Sequence, residues 1–431
     1  QLAPLLQEPV DLLPVPDSPP GEPLSFEECL RLALEHHPAL KASRAQVLQA
    51  RAQLGQILAL YEPTLAVQAS RVFQIVDTKA TRAAGLDPET QLILNVSQNL
   101  IDLKRHDQVL GARCSLEAAL YSYQSAWFQQ YQSIQQAYAD VLQGELQVAI
   151  QQANLQRAQL NRTVSAQFYQ AGQKGLVDVT QAETQVAQAR VSVVQAENQL
   201  VNLRLALARA VGVDRSLVDQ RRLEDMLQVA PRPPDRDAAL ALLEQNPSLR
   251  SLEAQARSFY AQAWAQEEGN LPTMAANVEV GGDGIDAPTI PFWQFSVQLS
   301  VPLMTPGLDS AQEGLRAQAE QALHNRENTR QNLVQTMDTA YSDLQGADRR
   351  VTAAEEETRL ALANFQLAHK RYTAGLTELS ELINARSFVL SAQGDLVTAL
   401  RDRKVAEGRL NSVTGQIPGG TPTLPDWDQP K

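Results

Sequence analysis

Cysteine is almost absent from this chain, two residues in 431, so no disulfide framework organises it. Cys29 and Cys114 are able to pair, but both fall in helical patterns, and the simpler reading is two small buried apolar side chains. Aromatic residues make only 5% of the sequence, which leaves little bulky filler for a compact core. Basic residues are in deficit, 37 Lys and Arg against 49 Asp and Glu. The net charge of −12 offers phosphates no surface, which argues against a nucleic-acid partner. No stretch approaches the roughly 18 uninterrupted apolar residues of a spanning helix, so a helical membrane protein is excluded. A membrane β-barrel is not, because its strands hide in ordinary hydropathy. His36, His37, His106, His324 and His369 show no zinc spacing, and the four methionines do not cluster. No catalytic residue, metal site or cofactor is read from the sequence. The chain does not open on methionine and carries no signal peptide, which points to a processed protein whose targeting segment has been removed.

Proline is also missing where it would break helices. None occurs between Pro88 and Pro231, or between Pro306 and Pro418. Ala, Gln and Leu fill these spans, as suits helices packed closely along their length. A helix over about 104–170 would be roughly 100 Å long. Its return, about 176–211, covers roughly 54 Å, and the helix at about 39–61 supplies roughly 35 Å of the deficit. Each long span bends once, at Tyr169-Gln170-Ala171-Gly172 and at Tyr372-Thr373-Ala374-Gly375, where glycine is suited to stopping a helix. Gly172, Gly175 and Gly375 are therefore the structural turn residues.

The two bends belong to an internal repeat. Glu35, Pro38, Leu40, Ala45, Pro63 and Thr64 match Glu244, Pro247, Leu249, Ala254, Pro272 and Thr273, and Leu100, Tyr169, Gly172 and Gly212 match Leu303, Tyr372, Gly375 and Gly415. The reading divides the chain into an extended tether at 1–23, a first repeat at 24–212, a connector at 213–236, a second repeat at 237–415 and a loose tail at 416–431. Each repeat carries one β-hairpin, about 64–101 and about 273–303, and one helical tip, 169–178 and 372–381.

In the hairpins the period is two. Trp293, Phe295, Val297, Leu299, Val301 and Leu303 alternate with Gln294, Ser296, Gln298 and Ser300, and Leu92, Leu94 and Val96 keep the same phase. The connecting loops are expected at about Ile75–Glu89 and Gly281–Pro291. The glycine-rich segment Gly281–Asp286 hints at a cation loop but lacks the register of one. Strands of about 10 residues can cross a bilayer when tilted. Phe292 and Trp293 stand where interfacial aromatics are expected. The bland reading is a small soluble sheet packed on helices, yet no amphipathic segment is left over to cover its apolar face. If the strands span a membrane, four cannot close a barrel, whereas three copies supply twelve. The fold class is then mainly α: long helical hairpins forming a trimeric α-barrel, with a shared 12-stranded membrane β-barrel, four strands per chain.

The doubled plan, the opening Leu-Ser-Phe-Glu-Glu-Cys-Leu-Arg-Leu-Ala-Leu-Glu-His-His-Pro-Ala-Leu, the two Tyr-x-Ala-Gly turns and the closing Leu-Ala-Arg-Ala-Val-Gly resemble the TolC-type outer-membrane efflux proteins over about 24–415. The resemblance implies a homotrimer seated in outer-membrane lipid with a large periplasmic portion. It implies a passive exit duct of a tripartite efflux or type I secretion system, coupled by a periplasmic adaptor (membrane-fusion) protein to an inner-membrane pump, with no catalytic centre. It also implies roles at the tips, which would close the tube. Tyr372 and Asp178 would pair between protomers, and Glu381 would face the constriction. Thr377 occupies a site where an arginine bridges to the next hairpin, Asn384 occupies a second acidic ring site, and Lys174 is the candidate replacement cation.

Plainer roles stand beside these. Tyr169 and Tyr372 can pack their rings and hydrogen-bond a local carbonyl, and Asp178 and Glu381 can be acids favouring a helix N-terminus. The alternative function is a soluble periplasmic coiled-coil scaffold or adaptor, which would stay folded and monodisperse without detergent.

Overall fold

The computed structural model describes residues 23–71, 90–219, 221–224, 236–284, 288 and 290–415. The expected tether up to residue 22, the loop at 75–89, half of the connector, the end of the Gly281–Asp286 segment and the tail beyond Gly415 lie outside the described residues. In chain order the elements are α1 (Phe26–His36), α2 (Pro38–Ala59), β1 (Thr64–Arg71), β2 (Thr90–Ile101), α3 (Lys104–Gln170), α4 (Leu176–Val211) and α5 (Arg215–Asp219). The second half follows with α6 (Arg236–Leu243), α7 (Pro247–Glu267), β3 (Thr273–Gly284), β4 (Ile290–Ser300), α8 (Leu308–Thr373) and α9 (Leu379–Thr414). Pro38 and Pro247, equivalent in the repeat, each open a helix, since proline at the first helical position has no N–H to lose.

The chain divides into two compact units. The first comprises 1–42, 124–246 and 330–431, and its core lies where α1 meets α3 and α4. Ser25 caps α1 by accepting from the Glu28 N–H at 3.1 Å. That turns Cys29, Leu30 and Ala33 onto Trp127, Tyr131, Ile134, Tyr138, Leu207 and Val211. The buried Tyr138 hydroxyl donates to the Leu24 carbonyl at 2.8 Å and reaches the Glu224 carbonyl at 2.9 Å. Burial pushes the Cys29 thiol up to about 12, so it sits as a neutral apolar group. Cys29 and Cys114 are both free and buried.

The second unit, 43–123 and 247–329, holds the sheet. The four strands form one antiparallel sheet in the order β1-β2-β3-β4, so the two hairpins are joined edge to edge through β2 and β3. The register puts Leu65, Val96, Val278 and Phe295 in one row across the sheet, and Val67, Leu94, Val280 and Trp293 in the next. The opposite face carries Asn95, Glu279 and Gln294, with Asn95 donating to Glu279 at 2.9 Å. The apolar face is open: Leu65 and Val67 are each 70% exposed, and Phe295 is 60% exposed.

The glycine-rich segment is not the loop expected for it. Gly281–Gly284 continue β3, paired to β2 and β4, and Ile290 and Pro291 belong to β4. The reason is steric: a Cβ at Gly281 would lie 2.4 Å from the Leu92 carbonyl oxygen, so only glycine allows this close pairing. In the same unit α7 buries Ala254, Ala261 and Ala265, and Ser258 donates to the Gly111 carbonyl of α3 at 2.9 Å.

Candidate gating and docking site at the helical tips

Both tips lie in the first unit and are built alike. At the end of α3 the Gln173 N–H donates to the Phe168 carbonyl at 2.9 Å and the Gly172 N–H to the Tyr169 carbonyl at 3.0 Å. At the end of α8, Leu376 donates to Arg371 and Gly375 to Tyr372, each at 2.9 Å. This is the six-to-one, five-to-two pairing of a Schellman stop, and Gly172 and Gly375 take its left-handed position at φ 68 and 72. Gly175 is different. It caps α4 with an extended backbone, φ −80 and ψ 162, and its repeat equivalent Glu378 does the same at φ −85 and ψ 159, so no glycine geometry is needed there.

Below the turns the two hairpins pack through Phe168, Ala182, Phe365, Ala368, Tyr372 and Leu382. Tyr372 is fully buried, with its ring edge-on to Phe168 at 5.7 Å and its hydroxyl 2.9 Å from the Ser165 hydroxyl. Burial raises its phenol pKa, the Ser165 hydrogen bond opposes the rise, and the nearby Asp178 charge adds to it. Tyr169, its sequence equivalent, is 46% exposed. Its inward place on α3 is taken by Phe168, one residue earlier.

Charge gathers on the second tip. Glu381 in the first turn of α9 accepts from Arg371 at 3.0 Å and from the Thr377 hydroxyl. Asp178 and Lys174 are half-buried and make no ion pair among the described residues, and Asn384 is exposed. The model of the family described as outer membrane efflux protein matches residues 29–213 and 240–416, that is, both repeats with both tips. The chain belongs to this family.

Its relatives are distant. The protein CyaE of Bordetella pertussis is 25% identical over 96% of this chain and 89% of its own length. The pyoverdine export outer membrane protein OpmQ of Pseudomonas aeruginosa is 24% identical over 67% of this chain and 61% of its own. Among solved structures, the outer membrane protein VceC of Vibrio cholerae shares the fold at a TM-score of 0.77 and 20% identity, covering 90% of this chain and 96% of that one. As an outer membrane efflux protein, the chain is a channel component of the outer membrane, with the TolC-type fold expected from its sequence.

In this efflux protein the expected tip residues gather at two adjacent turns of one chain. Within the chain the Tyr372 hydroxyl meets Ser165, and Arg371 supplies a cation beside Glu381. Sequence reasoning missed Ser165, Phe168 and Arg371. The available signal was asymmetry: Phe168 and Arg371 occupy equivalent repeat positions, yet one is an aromatic packed inward and the other a surface cation.

Proposed function

We propose that three copies of this chain form one passive exit duct, sharing a twelve-stranded barrel in outer-membrane lipid and a helical barrel on the periplasmic side. The observation that carries this is the sheet, whose apolar face is exposed and whose outer strands β1 and β4 each have an unpaired edge among the described residues. Unpaired backbone groups in hydrocarbon cost several kcal/mol each, so edges that enter a bilayer must be closed by another copy. Three-fold symmetry repeats the β1–β4 contact until the barrel closes. Phe292 and Trp293, at the loop end of β4, suit the membrane–water boundary, and Trp293 is 77% exposed.

The helical tips form the periplasmic gate and the docking surface for an adaptor protein linked to an inner-membrane pump. The half-buried Asp178 carboxylate, Lys174 and the exposed Asn384 are free to meet a neighbouring hairpin or the adaptor, whereas Glu381 is already engaged by Arg371 and Thr377. A relative named for pyoverdine export fits cargo handed over from the periplasmic side.

Mass determination in detergent combined with imaging tests the assembly: three chains of 47.3 kDa in one particle are expected. A monomer that stays folded and monodisperse without detergent would overturn it. For the gate, Asp178→Ala should raise single-channel conductance in planar bilayers, and an unchanged closed state would remove Asp178 from the lock.

A further inference from the structure

About two helical turns below Tyr372, a charged layer interrupts the apolar packing of the two hairpins. Arg386 of α9 is only 5% exposed, and its Nη2 donates to the neutral amide oxygen Oε1 of Gln185 on α4 at 3.2 Å. Arg157 of α3 stands 5.6 Å from the centre of the Phe365 ring on α8. Neither guanidinium has a carboxylate partner among the described residues. Both lose hydration, which lowers their pKa values, and the charge of Arg157 lowers that of Arg386 further. Apolar side chains adjoin it on both hairpins: Ala385 and Phe365 belong to the tip cluster with Tyr372 and Leu382, and Ala158 and Val186, next to Arg157 and Gln185 in sequence, pack with Ala189.

A buried arginine normally rests on a carboxylate, because desolvating the charge against a neutral group leaves most of the cost uncompensated. Here all four helices of the two hairpins contribute to one such layer, and two like charges occupy it. We infer that Arg157, Arg386 and Gln185 form a counter-latch that biases the two hairpins of one chain towards separation at the tip. Packing around Tyr372 holds the hairpins together, and the arginine layer opposes it. Parting the hairpins rehydrates both guanidinium groups, so the closed tip is poised rather than deeply stable. The inference rests on the tips acting as a gate, while the bias itself is measurable without that assumption.

The test uses the full-length protein in detergent and two single substitutions. Gln185→Glu places a carboxylate opposite Arg386 in nearly the same shape, and Arg386→Met removes the buried charge and keeps the apolar stem. Hydrogen exchange of amides in 160–185 and 365–392 should slow in both, by about tenfold for a buried charge newly paired or removed. If both exchange at the wild-type rate or faster, Arg386 is an ordinary structural staple and the inference is overturned. Conductance in planar bilayers separates the two levels, with Asp178→Ala alongside. Slower exchange with lower conductance is the expected pattern. Slower exchange, with conductance unmoved in all three variants, upholds the bias and overturns the gate reading.

Discussion

Tyr169 and Tyr372 hold equivalent places in the repeat, yet one faces solvent and the other is a fully buried post between two hairpins. What separates them is the neighbour: Phe168 fills the inward position on α3, and Ser165 gives the Tyr372 hydroxyl a partner at 2.9 Å. Tyr372→Phe should therefore cost about 1 kcal/mol of local stability, the usual net value of one hydrogen bond. Tyr372→Ala should cost about 3–5 kcal/mol by leaving a cavity of aromatic size. Hydrogen exchange across 365–385 reads both. The pH dependence has a definite sign. The phenol pKa is raised in the folded state, first by burial, so its contribution is complete below the unfolded value of about 10 and is lost as pH rises through the folded one. Tip packing should loosen in alkali, and Tyr372→Phe should lose the part of that loosening local to the tip. The Arg371–Glu381 bridge is half exposed and is worth at most about 1 kcal/mol, so its substitution should alter docking or conductance more than stability.

Helix contacts are set by small residues at defined points. At Gly408 of α9 an added Cβ would lie on the Gln135 side chain of α3, whose Nε2 donates to the Lys404 carbonyl at 3.0 Å. Gly408→Ala should destabilise by about 1–3 kcal/mol, the range for overpacking. Adding Gln135→Ala should recover most of that, and urea midpoints of the single and double variants check the coupling. Gly375 contrasts with it. Nothing lies within 4 Å of its would-be Cβ, so Gly375→Ala should carry only the left-handed backbone penalty, about 1–2 kcal/mol. Both glycines look alike in sequence. One is needed for its φ, the other for the side chain standing against it.

At the scale of the molecule, the sheet divides the substitutions that membrane assembly tolerates. Phe295 and Asn277 lie on opposite faces of adjacent strands. In the proposed barrel Phe295→Arg meets lipid and should cost about 2–4 kcal/mol near the bilayer midplane, reducing the trimer recovered from outer-membrane fractions. Asn277→Arg, on the polar face, should assemble normally while altering ion selectivity. Equal recovery of the two would count against the face assignment.

The sequence by itself determined the elements that depend on local patterns. Long proline-free spans became helices of 67 and 66 residues, the two-residue period became strands, and the Tyr-x-Ala-Gly motif became a helix stop in both copies. Each of these follows from interactions within a few residues of one another, which a single chain displays directly. Only the tertiary structure decided what depends on residues far apart. The joining of β2 to β3 needs Gly281 against Leu92, nearly two hundred positions away. The choice of Tyr372 over Tyr169 as the buried post needs Ser165 on another helix. The burial of Arg386 needs Gln185, 201 residues earlier. Side chains of the same type at matching positions carry different energies because burial and partner are properties of the packed chain, not of its local order.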